Sequence, residues 1–320
     1  MDHPRTREVL KRFPRSQLIP IDDYQNVFGR SRQDFWRQKA SPKLVLAHKK
    51  ENLLYKGNVF LQGNESPNFC YTAQVLNCPY DCHYCYLQGM YAGANIVAFV
   101  NLEDTFRAAE EACATRPDPK RPLHLAISYD TDLLALEGIL GFGRDWLRWA
   151  ESQPDMLVEI RTKSAIHRLL AEFPPVDTVR LAWTLSPDPV ARQYEEGAPS
   201  LDARIKALKH AADKGWRISI CLDPVLMVPG HHRVYSEFVH KLERELPWPQ
   251  VEQVELGVFR MSSTHFKRMQ KRPGTDLLHY PFEHANNAVS YKLEERKELV
   301  SEVFVQLQNS ISEEKIHLWI

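Results

Sequence analysis

From about residue 68 to residue 271, short apolar or β-branched runs alternate with segments of helical periodicity. The predicted strands are 69–76, 124–129, 156–162, 179–185, 217–225 and 253–259, and the predicted helices are 102–114, 132–151, 164–172, 200–214, 232–246 and 262–271. Six strand-then-helix units in succession predict an α/β fold with a parallel sheet and right-handed crossovers. Because no G-x-G-x-x-G follows the first strand, we expect a partial (β/α)6 barrel rather than a dinucleotide-binding sheet.

Two segments flank these units. Residues 1–67 are predicted to form an N-terminal extension, with a helix near its start and a strand at 43–47. Residues 272–320 are predicted to form a C-terminal segment that is irregular or a hairpin at first and continues with a helix at 292–309 and a last short strand. The sequence therefore predicts three parts, 1–67, 68–271 and 272–320.

Three of the six cysteines fall within "NCPYDCHYCYLQ", residues 77–88, directly after the first predicted strand. In a β/α barrel this is the face that carries the active site. A closed zinc site takes four ligands, and His83 would be a strained fourth ligand between Cys82 and Cys85. An iron–sulfur cluster takes four thiolates, so Cys78, Cys82 and Cys85 would leave one iron open for catalysis. The separate cysteines Cys70, Cys113 and Cys221 are expected to be buried thiols.

The motif C-x3-C-x2-C, with an aromatic residue before its last cysteine, resembles that of the radical S-adenosylmethionine (SAM) superfamily. "CHYCYLQ" at 82–88, "VNLEDTF" at 100–106, "TK" at 162–163, "YEEGAPSLDAR" at 194–204 and "DP" at 223–224 are similar to the spore photoproduct lyase family, over roughly residues 20 to 270. The resemblance implies a [4Fe–4S] cluster on the three cysteines and SAM on the open iron. It also implies a 5′-deoxyadenosyl radical that abstracts hydrogen from a methylene-bridged thymine dimer in DNA, in a lyase reaction that repairs the lesion.

Polar residues stand at the carboxyl ends of the predicted strands, as expected at an active-site face. The resemblance implies that Lys163 and Thr184 contact the SAM carboxylate or ribose, that the Asp223 backbone lies near the adenine, and that Tyr84 and Tyr86 return a hydrogen atom to the deoxyadenosyl radical. The full set of expected cofactor contacts is Tyr84, Ser128, Lys163, Thr184, Ser186 and Asp223. Each also has a plainer interpretation, such as packing for the tyrosines and a surface ion pair for Lys163.

Other polar residues leave two interpretations open. Glu195 and Arg204 could pair with each other or contact the ribose, and the first interpretation is preferred. His231 and His232 are expected in a solvated loop, with contact to DNA as the alternative.

The sequence departs from the family at the second strand. Family members carry a cysteine there that donates a hydrogen atom to the thymine radical, whereas this chain has Ile127 or Ser128. The C–H and O–H bonds of these side chains are too strong to replace a thiol. Tyr129, the nearest phenol, is therefore the expected catalytic residue, with Cys70 as an alternative donor.

The C-terminal segment departs as well. The family's basic hairpin, which helps to flip the lesion out of the stack, corresponds here to the shorter and less basic "HYPFEHANNAVSYK". Tyr280, Phe282 and Tyr291 could stack on bases, and the run at 265–272 could contact phosphates or be a solvated helix face. The leading hypothesis is a photolesion repair enzyme. The alternatives are a radical SAM enzyme on another nucleic acid or a small molecule, and a non-enzymatic metal-binding module.

The net charge and the apolar content of the sequence bear on where the protein is located and what it binds. Its 41 basic and 41 acidic residues cancel, so net charge neither supports nor excludes a DNA substrate. The N-terminus lacks the apolar core of a signal peptide, and no segment approaches the roughly 20 apolar residues of a membrane span. We expect a cytoplasmic monomer without a membrane partner. Its expected partners are DNA with a damaged thymine pair and an electron donor such as flavodoxin or ferredoxin.

Overall fold

The centre of the fold is an eight-stranded sheet that curls into a half-barrel, in a computed structural model that describes residues 2–57, 66–166 and 168–320. The strands are β1 Leu44–Ala47, β2 Tyr55–Lys56, β3 Phe69–Tyr71, β4 Val75–Leu76, β5 Asp81–Cys82, β6 Ile96–Phe99, β7 Leu123–Ala126, β8 Met156–Thr162, β9 Val179–Thr184, β10 Glu195–Glu196, β11 Arg217–Val225, β12 Val251–Val258, β13 Arg260–Ser262, β14 Glu283–Ala285, β15 Ala288–Ser290 and β16 Ile316–Trp319. The helices are α1 Pro4–Lys11, α2 Gln25–Phe28, α3 Phe35–Lys39, α4 Leu87–Met90, α5 Leu102–Ala114, α6 Glu137–Leu140, α7 Phe142–Ala150, α8 Arg168–Glu172, α9 Asp188–Tyr194, α10 Leu201–Asp213, α11 His231–Glu245, α12 Ser263–Met269 and α13 Leu293–Leu307.

The strand order confirms the predicted barrel type. The order in the sheet is β16-β12-β11-β9-β8-β7-β3-β2, and every pair from β3 to β16 is parallel, whereas β2 and β3 are antiparallel. From β3 to β12 neighbouring strands follow one another along the chain, as in a β/α barrel and unlike a doubly wound sheet. Helices such as α10 cover the outer face, where Leu201, Ile205, Leu208 and Ala212 are all buried.

The inner face of the half-barrel carries buried charges below the ends of the strands. Successive side chains of a strand alternate between faces, so Glu159 and Arg161 on β8 point the same way. The carboxylate of Glu159 lies 2.9 Å from Arg161 and 2.8 Å from Arg180. Burial alone would raise the pKa of Glu159, but the charge of Arg161, a hydrogen bond from His124 and the charge of Arg180 hold this pKa well below its usual value. The ion pairs hold Arg161 in place beneath the carboxyl ends of the strands.

Two predicted elements are interrupted in the structure. The predicted strand 69–76 is two strands, because β4 leaves the main sheet and pairs antiparallel with β6. The predicted helix 132–151 is a 3-10 turn followed by α6 and α7, which are separated at Gly141. Gly141 has a φ of +72°, a left-handed conformation that glycine adopts without steric cost and that ends a helix. Residue 167, within the predicted helix 164–172, lies outside the described residues, as do Met1 and residues 58–65 of the predicted N-terminal extension.

The flanking segments contribute strands of their own. The predicted strand at 43–47 is β1, and it pairs parallel with β6, a strand that sequence reasoning missed. In the C-terminal segment, β14 and β15 form a hairpin whose turn residues Asn286 and Asn287 both have positive φ, as a tight two-residue hairpin requires. The final strand β16 extends the main sheet beside β12. The three-part domain division stays a prediction.

No helix among residues 2–57, 66–166 and 168–320 has the length and apolar character needed to cross a membrane.

Candidate active site

A cavity of about 230 Å³ lies at the carboxyl ends of the parallel strands. Side chains from the loop after β4 and from the ends of β7, β8, β9, β11 and β12 converge on it. It brings together most of the site residues predicted from the sequence: Cys78, Cys82, Cys85, Tyr84, Tyr86, Ser128, Tyr129, Lys163, Thr184 and Asp223. Of the expected cofactor contacts, Ser186 is absent from this lining; it is buried and shares the Glu195 carboxylate with Tyr84.

The cysteine loop is held by a segment more than 100 residues away in sequence. Strand β5 pairs antiparallel with β10, so Cys82 lies opposite Glu195, and the amide of His83 donates to the carbonyl of Tyr194 at 2.8 Å. Arg272 adds a side-chain clamp, since its guanidinium lies 2.7 Å from Asp81. This ladder fixes the backbone on which Cys82 stands.

The first cysteine is fixed by two further contacts. The ammonium of Lys39 donates to the carbonyls of Cys78 and Tyr80, at 2.5 and 2.8 Å. Asn77 adopts a φ of +68°, and its side-chain amide donates to the carbonyls of Gly93 and Asn95, both at 2.8 Å. The loop is thus preformed around the three thiols.

The three thiols line the same cavity, where Cys82 is buried and Cys78 and Cys85 are half-buried. Burial raises the pKa of Cys78 to about 12 and raises those of Cys82 and Cys85. Deprotonation therefore needs a strong compensating positive charge, which a bound metal centre supplies. Within residues 2–57, 66–166 and 168–320, the three thiols do not form a group whose donor atoms all lie within 4.8 Å of one another. Thiolates on one zinc ion are roughly 3.8 Å apart, given Zn–S bonds of about 2.3 Å. Three thiols are also one ligand fewer than a closed zinc site takes, whereas an iron–sulfur cluster on them would keep one iron open.

Tyr84 is bound to a buried carboxylate behind the cavity wall. Its phenol donates to Glu195, which also accepts from Ser186 at 2.8 Å and from Arg204. The side chains of Glu195 and Arg204 are completely buried. Burial alone would raise the pKa of Glu195, but the charges of Lys163 and Arg204 lower it below its usual value. Glu195 and Arg204 therefore pair with each other, and Ser186 supports Tyr84 through the same carboxylate.

Lys163 brings a positive charge to the thiols. Its ammonium lies 5.5 Å from the centre of the Tyr84 ring. Burial lowers the pKa of Lys163, but the negative charges of Cys82 and Glu195 outweigh this and raise it. The neighbouring backbone is fixed by Asp132, which accepts from the Lys163 amide at 2.6 Å and from the Thr162 hydroxyl at 2.8 Å. Lys163 therefore stays protonated at neutral pH.

Tyr86 and Tyr129 form the opposite wall. The phenol of Tyr86 donates to the backbone carbonyl of Tyr129 at 2.7 Å. The Arg161 guanidinium lies 5.4 Å from the centre of the Tyr129 ring, and Tyr71 packs against the same ring at 5.7 Å. Burial raises the pKa of Tyr129 well above its usual value, so the phenol is neutral at neutral pH. Cys70, the alternative hydrogen donor, is not among the cavity-lining residues, and burial raises its pKa to about 12.

Several cavity residues were missed from the sequence. Arg260 lines the cavity and forms a two-pronged ion pair with Asp223, with both N···O distances at 3.0 Å. Phe259, Arg161 and Asp132 also line it. Two of these residues could have been found from the sequence. Arg161 lies two residues before Lys163 and therefore on the same face of the strand, and Arg260 follows the sixth predicted strand.

Other candidate residues lie away from the cavity. His83 is buried outside the cavity lining, and its Nε2 lies 2.8 Å from Glu196. The two histidines expected in a solvated loop, His231 and His232, begin helix α11, where His232 lies 2.6 Å from Glu302.

The aromatic residues of the C-terminal segment pack inward. Tyr291 is completely buried and its ring contacts Tyr280 and Phe282 at 5.1 and 5.2 Å. In the basic run 265–272, the Arg268 guanidinium donates to the carbonyls of Gly89 and Met90, both at 3.2 Å. Arg268 and the Asp81 partner Arg272 are thus engaged within the protein. Lys267, Arg268 and Lys271 are exposed, and of these the two lysines lie outside the contacts just described.

Comparison with known proteins gives consistent matches. The spore photoproduct lyase family model matches residues 63–287, more than half of the chain. The chain is 23% identical over 198 residues to spore photoproduct lyase of Geobacillus sp. (strain Y412MC61), covering 61% of this chain and 56% of that protein. It is 25% identical over 175 residues to spore photoproduct lyase of Bacillus subtilis (strain 168), covering 53% and 49%. The matches thus span about half the length of these curated relatives.

Solved structures share the fold. Spore photoproduct lyase complexed with dinucleoside spore photoproduct superposes with a TM-score of 0.76 at 17% identity, covering 99% of this chain and 95% of that one. A variant with bound AdoMet and the same dinucleoside superposes with a TM-score of 0.75 at 18% identity, with the same coverage. At such identities the likeness concerns the fold. Together with the family match, it places the chain in the spore photoproduct lyase family.

Proposed function

We propose that this protein is a radical SAM lyase that repairs a thymine-dimer photolesion in DNA. The observation that carries the proposal is that the three motif cysteines, Lys163 and the strand-end polar groups converge on one cavity. The names of the curated relatives and the ligands of the related structures, AdoMet and dinucleoside spore photoproduct, support the substrate class. We expect the protein to act in the cytoplasm as a monomer, with a flavodoxin or ferredoxin as electron donor.

Cys78, Cys82 and Cys85 would hold a [4Fe–4S] cluster through their thiolates. With SAM bound, this cluster supplies a 5′-deoxyadenosyl radical that abstracts hydrogen from the lesion. Lys163 is a half-buried point charge on the cavity, suited to neutralising the SAM carboxylate. Ser128, Thr184 and the backbone at Asp223 would position the rest of the cofactor.

The phenols differ in what they can do. Tyr84 donates its hydrogen to Glu195, behind the cavity wall, and Tyr86 donates to a backbone carbonyl. Both therefore position the cysteine loop before any hydrogen transfer, and a transfer from either phenol requires its hydrogen bond to break. Tyr129 is the proposed donor at the second strand, where relatives carry cysteine.

The test is an assay with a synthetic dinucleotide spore photoproduct, SAM and a reductant under anaerobic conditions. The wild type is expected to convert the lesion into the dinucleotide with two unlinked thymines, with loss of this conversion in Cys82→Ala and retention in Cys113→Ala, a buried thiol outside the cavity. Tyr129→Phe should form the substrate radical but yield much less repaired dinucleotide. SAM cleavage without repaired dinucleotide in the wild type would contradict the substrate and retain the cofactor chemistry.

A second comparison tests Lys163. Lys163→Met should raise the SAM concentration needed for half-maximal cleavage, because the carboxylate loses its countercharge. Lys206→Met, on the exposed face of α10, is the matched control. If Lys163→Met and Lys206→Met need the same SAM concentration for half-maximal cleavage, Lys163 is not part of the cofactor site.

A further inference from the structure

A group of metal-ligand side chains lies between helices α11 and α13, apart from the cavity residues. His231 and His232 are the first two residues of α11, and Glu298 is on α13. Each of these three side chains offers a ligand atom, and the three atoms all lie within 4.8 Å of one another. Among the described residues, this is the group of three or more His, Cys, Asp or Glu side chains whose ligand atoms lie this close together.

Glu302 stands beside the group and contacts one of its histidines. Glu302 is one turn after Glu298 on α13, so both carboxylates lie on the same face of that helix. His232 contacts both, with its Nδ1 2.6 Å from Glu302 and its Nε2 3.5 Å from Glu298. Two imidazoles and one carboxylate are a donor set that zinc and its neighbours in the first transition series accept, and a carboxylate on the second nitrogen of a ligating imidazole fixes that ring.

The hydrogen bonding of His231 is incomplete. Its Nε2 is shielded from solvent and, within the described part of the chain, has no hydrogen-bond partner. The His231 and His232 rings lie with their centres 3.9 Å apart and their planes tilted by 38°. Buried polar atoms without partners are few in folded proteins, and an unrecorded ion is one reason for them.

We propose that His231, His232 and Glu298 form a binding site for a divalent transition metal such as Zn²⁺, with Glu302 orienting the His232 ring through its other nitrogen. The ligands are the ends of side chains on two helices that pack against each other, and rotation of these side chains would complete the approach to the ion. A bound ion would join the start of α11, which follows the cavity strand β11, to the helix that precedes β16. Its role is therefore structural: it fastens the C-terminal segment to the half-barrel.

Titration of the full-length protein with Co²⁺ tests this site. Cobalt on nitrogen and oxygen ligands gives weak visible bands, whereas cobalt on thiolates gives strong near-ultraviolet absorption. The experiment is therefore repeated in the triple variant Cys78→Ala, Cys82→Ala, Cys85→Ala. One Co²⁺ per chain with the weak bands is expected in both proteins, displaced by Zn²⁺.

Matched variants identify the ligands. His232→Ala and Glu298→Gln should weaken Co²⁺ binding by at least about 100-fold, since even partners behind a ligand typically contribute 10- to 100-fold. His240→Ala and Glu294→Gln, exposed residues of the same two helices, should bind as the wild type does. In the triple cysteine variant, Zn²⁺ should also raise the midpoint of thermal unfolding, and adding His232→Ala should abolish that rise. Binding through thiolates alone, or binding that His232→Ala leaves unchanged, would overturn the proposal.

Discussion

Replacing Glu195 with glutamine tests the buried ion pair behind the cysteine loop. The side chains of Glu195 and Arg204 are completely buried. Glu195 also accepts hydrogen bonds from Tyr84 and Ser186. Glu195→Gln leaves the Arg204 guanidinium without its countercharge in the core. Breaking a buried pair from one side typically costs about 3–5 kcal/mol, so the free energy of unfolding at pH 7 should fall by that amount.

The assay is denaturant unfolding with a double-mutant cycle. Arg204→Met and the double variant Glu195→Gln, Arg204→Met complete the cycle, and the double variant should be more stable than the sum of the single losses predicts. The matched control is Glu252→Gln, because Glu252 pairs with Arg217 at 2.6 Å with both side chains more than 30% exposed. An exposed ion pair contributes about 1 kcal/mol or less to stability, so Glu252→Gln should lower the free energy of unfolding by no more than that.

The pH dependence of the same pair has a definite sign. The folded state lowers the pKa of Glu195 below its ordinary value of 4.5. As pH falls below about 4.5, the Glu195 carboxyl therefore takes up its proton in the unfolded chain before it does so in the folded protein. The stability that the ionised Glu195 contributes is thus lost as pH falls through its folded pKa. Glu195→Gln should remove this part of the acid sensitivity. A cost below about 1 kcal/mol, equal to that of Glu252→Gln, would refute the reasoning.

Two further substitutions test buried charge and close packing. Burial raises the pKa of Asp130 from 3.8 to about 6, so wild-type stability should fall by at most about 3 kcal/mol as pH rises from about 4 to 6, because the folded state holds the proton longer. Asp130→Asn should abolish that slope in urea unfolding at several pH values, and an unchanged slope would contradict the assignment. Gly89→Ala would place a Cβ 2.2 Å from the His265 carbonyl oxygen, so it should lower the free energy of unfolding by about 1–3 kcal/mol. Gly138→Ala, where nothing lies within 4 Å, should be neutral or stabilising, and equal effects of the two would count against this packing.

Much of the barrel could be predicted because its signals are local. The apolar runs and helical periodicities located the strands β8, β9 and β11 almost to the residue, since burial on both faces selects β-branched and apolar residues. The strand-end rule placed Ser128, Lys163 and Asp223 at the cavity. The cysteine spacing placed the thiols there too.

Contacts between distant segments could not be predicted in the same way. The pairing of β5 with β10 involves two residues on each strand, too few for any periodic pattern. Lys39 binds the cysteine loop from a helix of five residues in the N-terminal extension. The binding of Tyr84 to Glu195 likewise depends on tertiary structure, although the pairing of Glu195 with Arg204 was among the expected alternatives.

The C-terminal aromatics illustrate the limit of composition. Tyr280, Phe282 and Tyr291 have the chemistry to stack on bases, yet they pack on one another and on Phe259. An aromatic side chain gains from burial in a core as it does from a nucleobase, so residue type alone did not distinguish the two.

Anaerobic reconstitution with iron and sulfide, followed by SAM and a reductant, tests the central claim most directly. The wild type should bind about four iron and four sulfide ions per chain and form 5′-deoxyadenosine. Cys78→Ala, Cys82→Ala and Cys85→Ala should each lose both properties, while Cys113→Ala keeps them. A wild-type protein that binds one zinc ion in place of a cluster, or forms a cluster yet leaves SAM intact, would contradict the account.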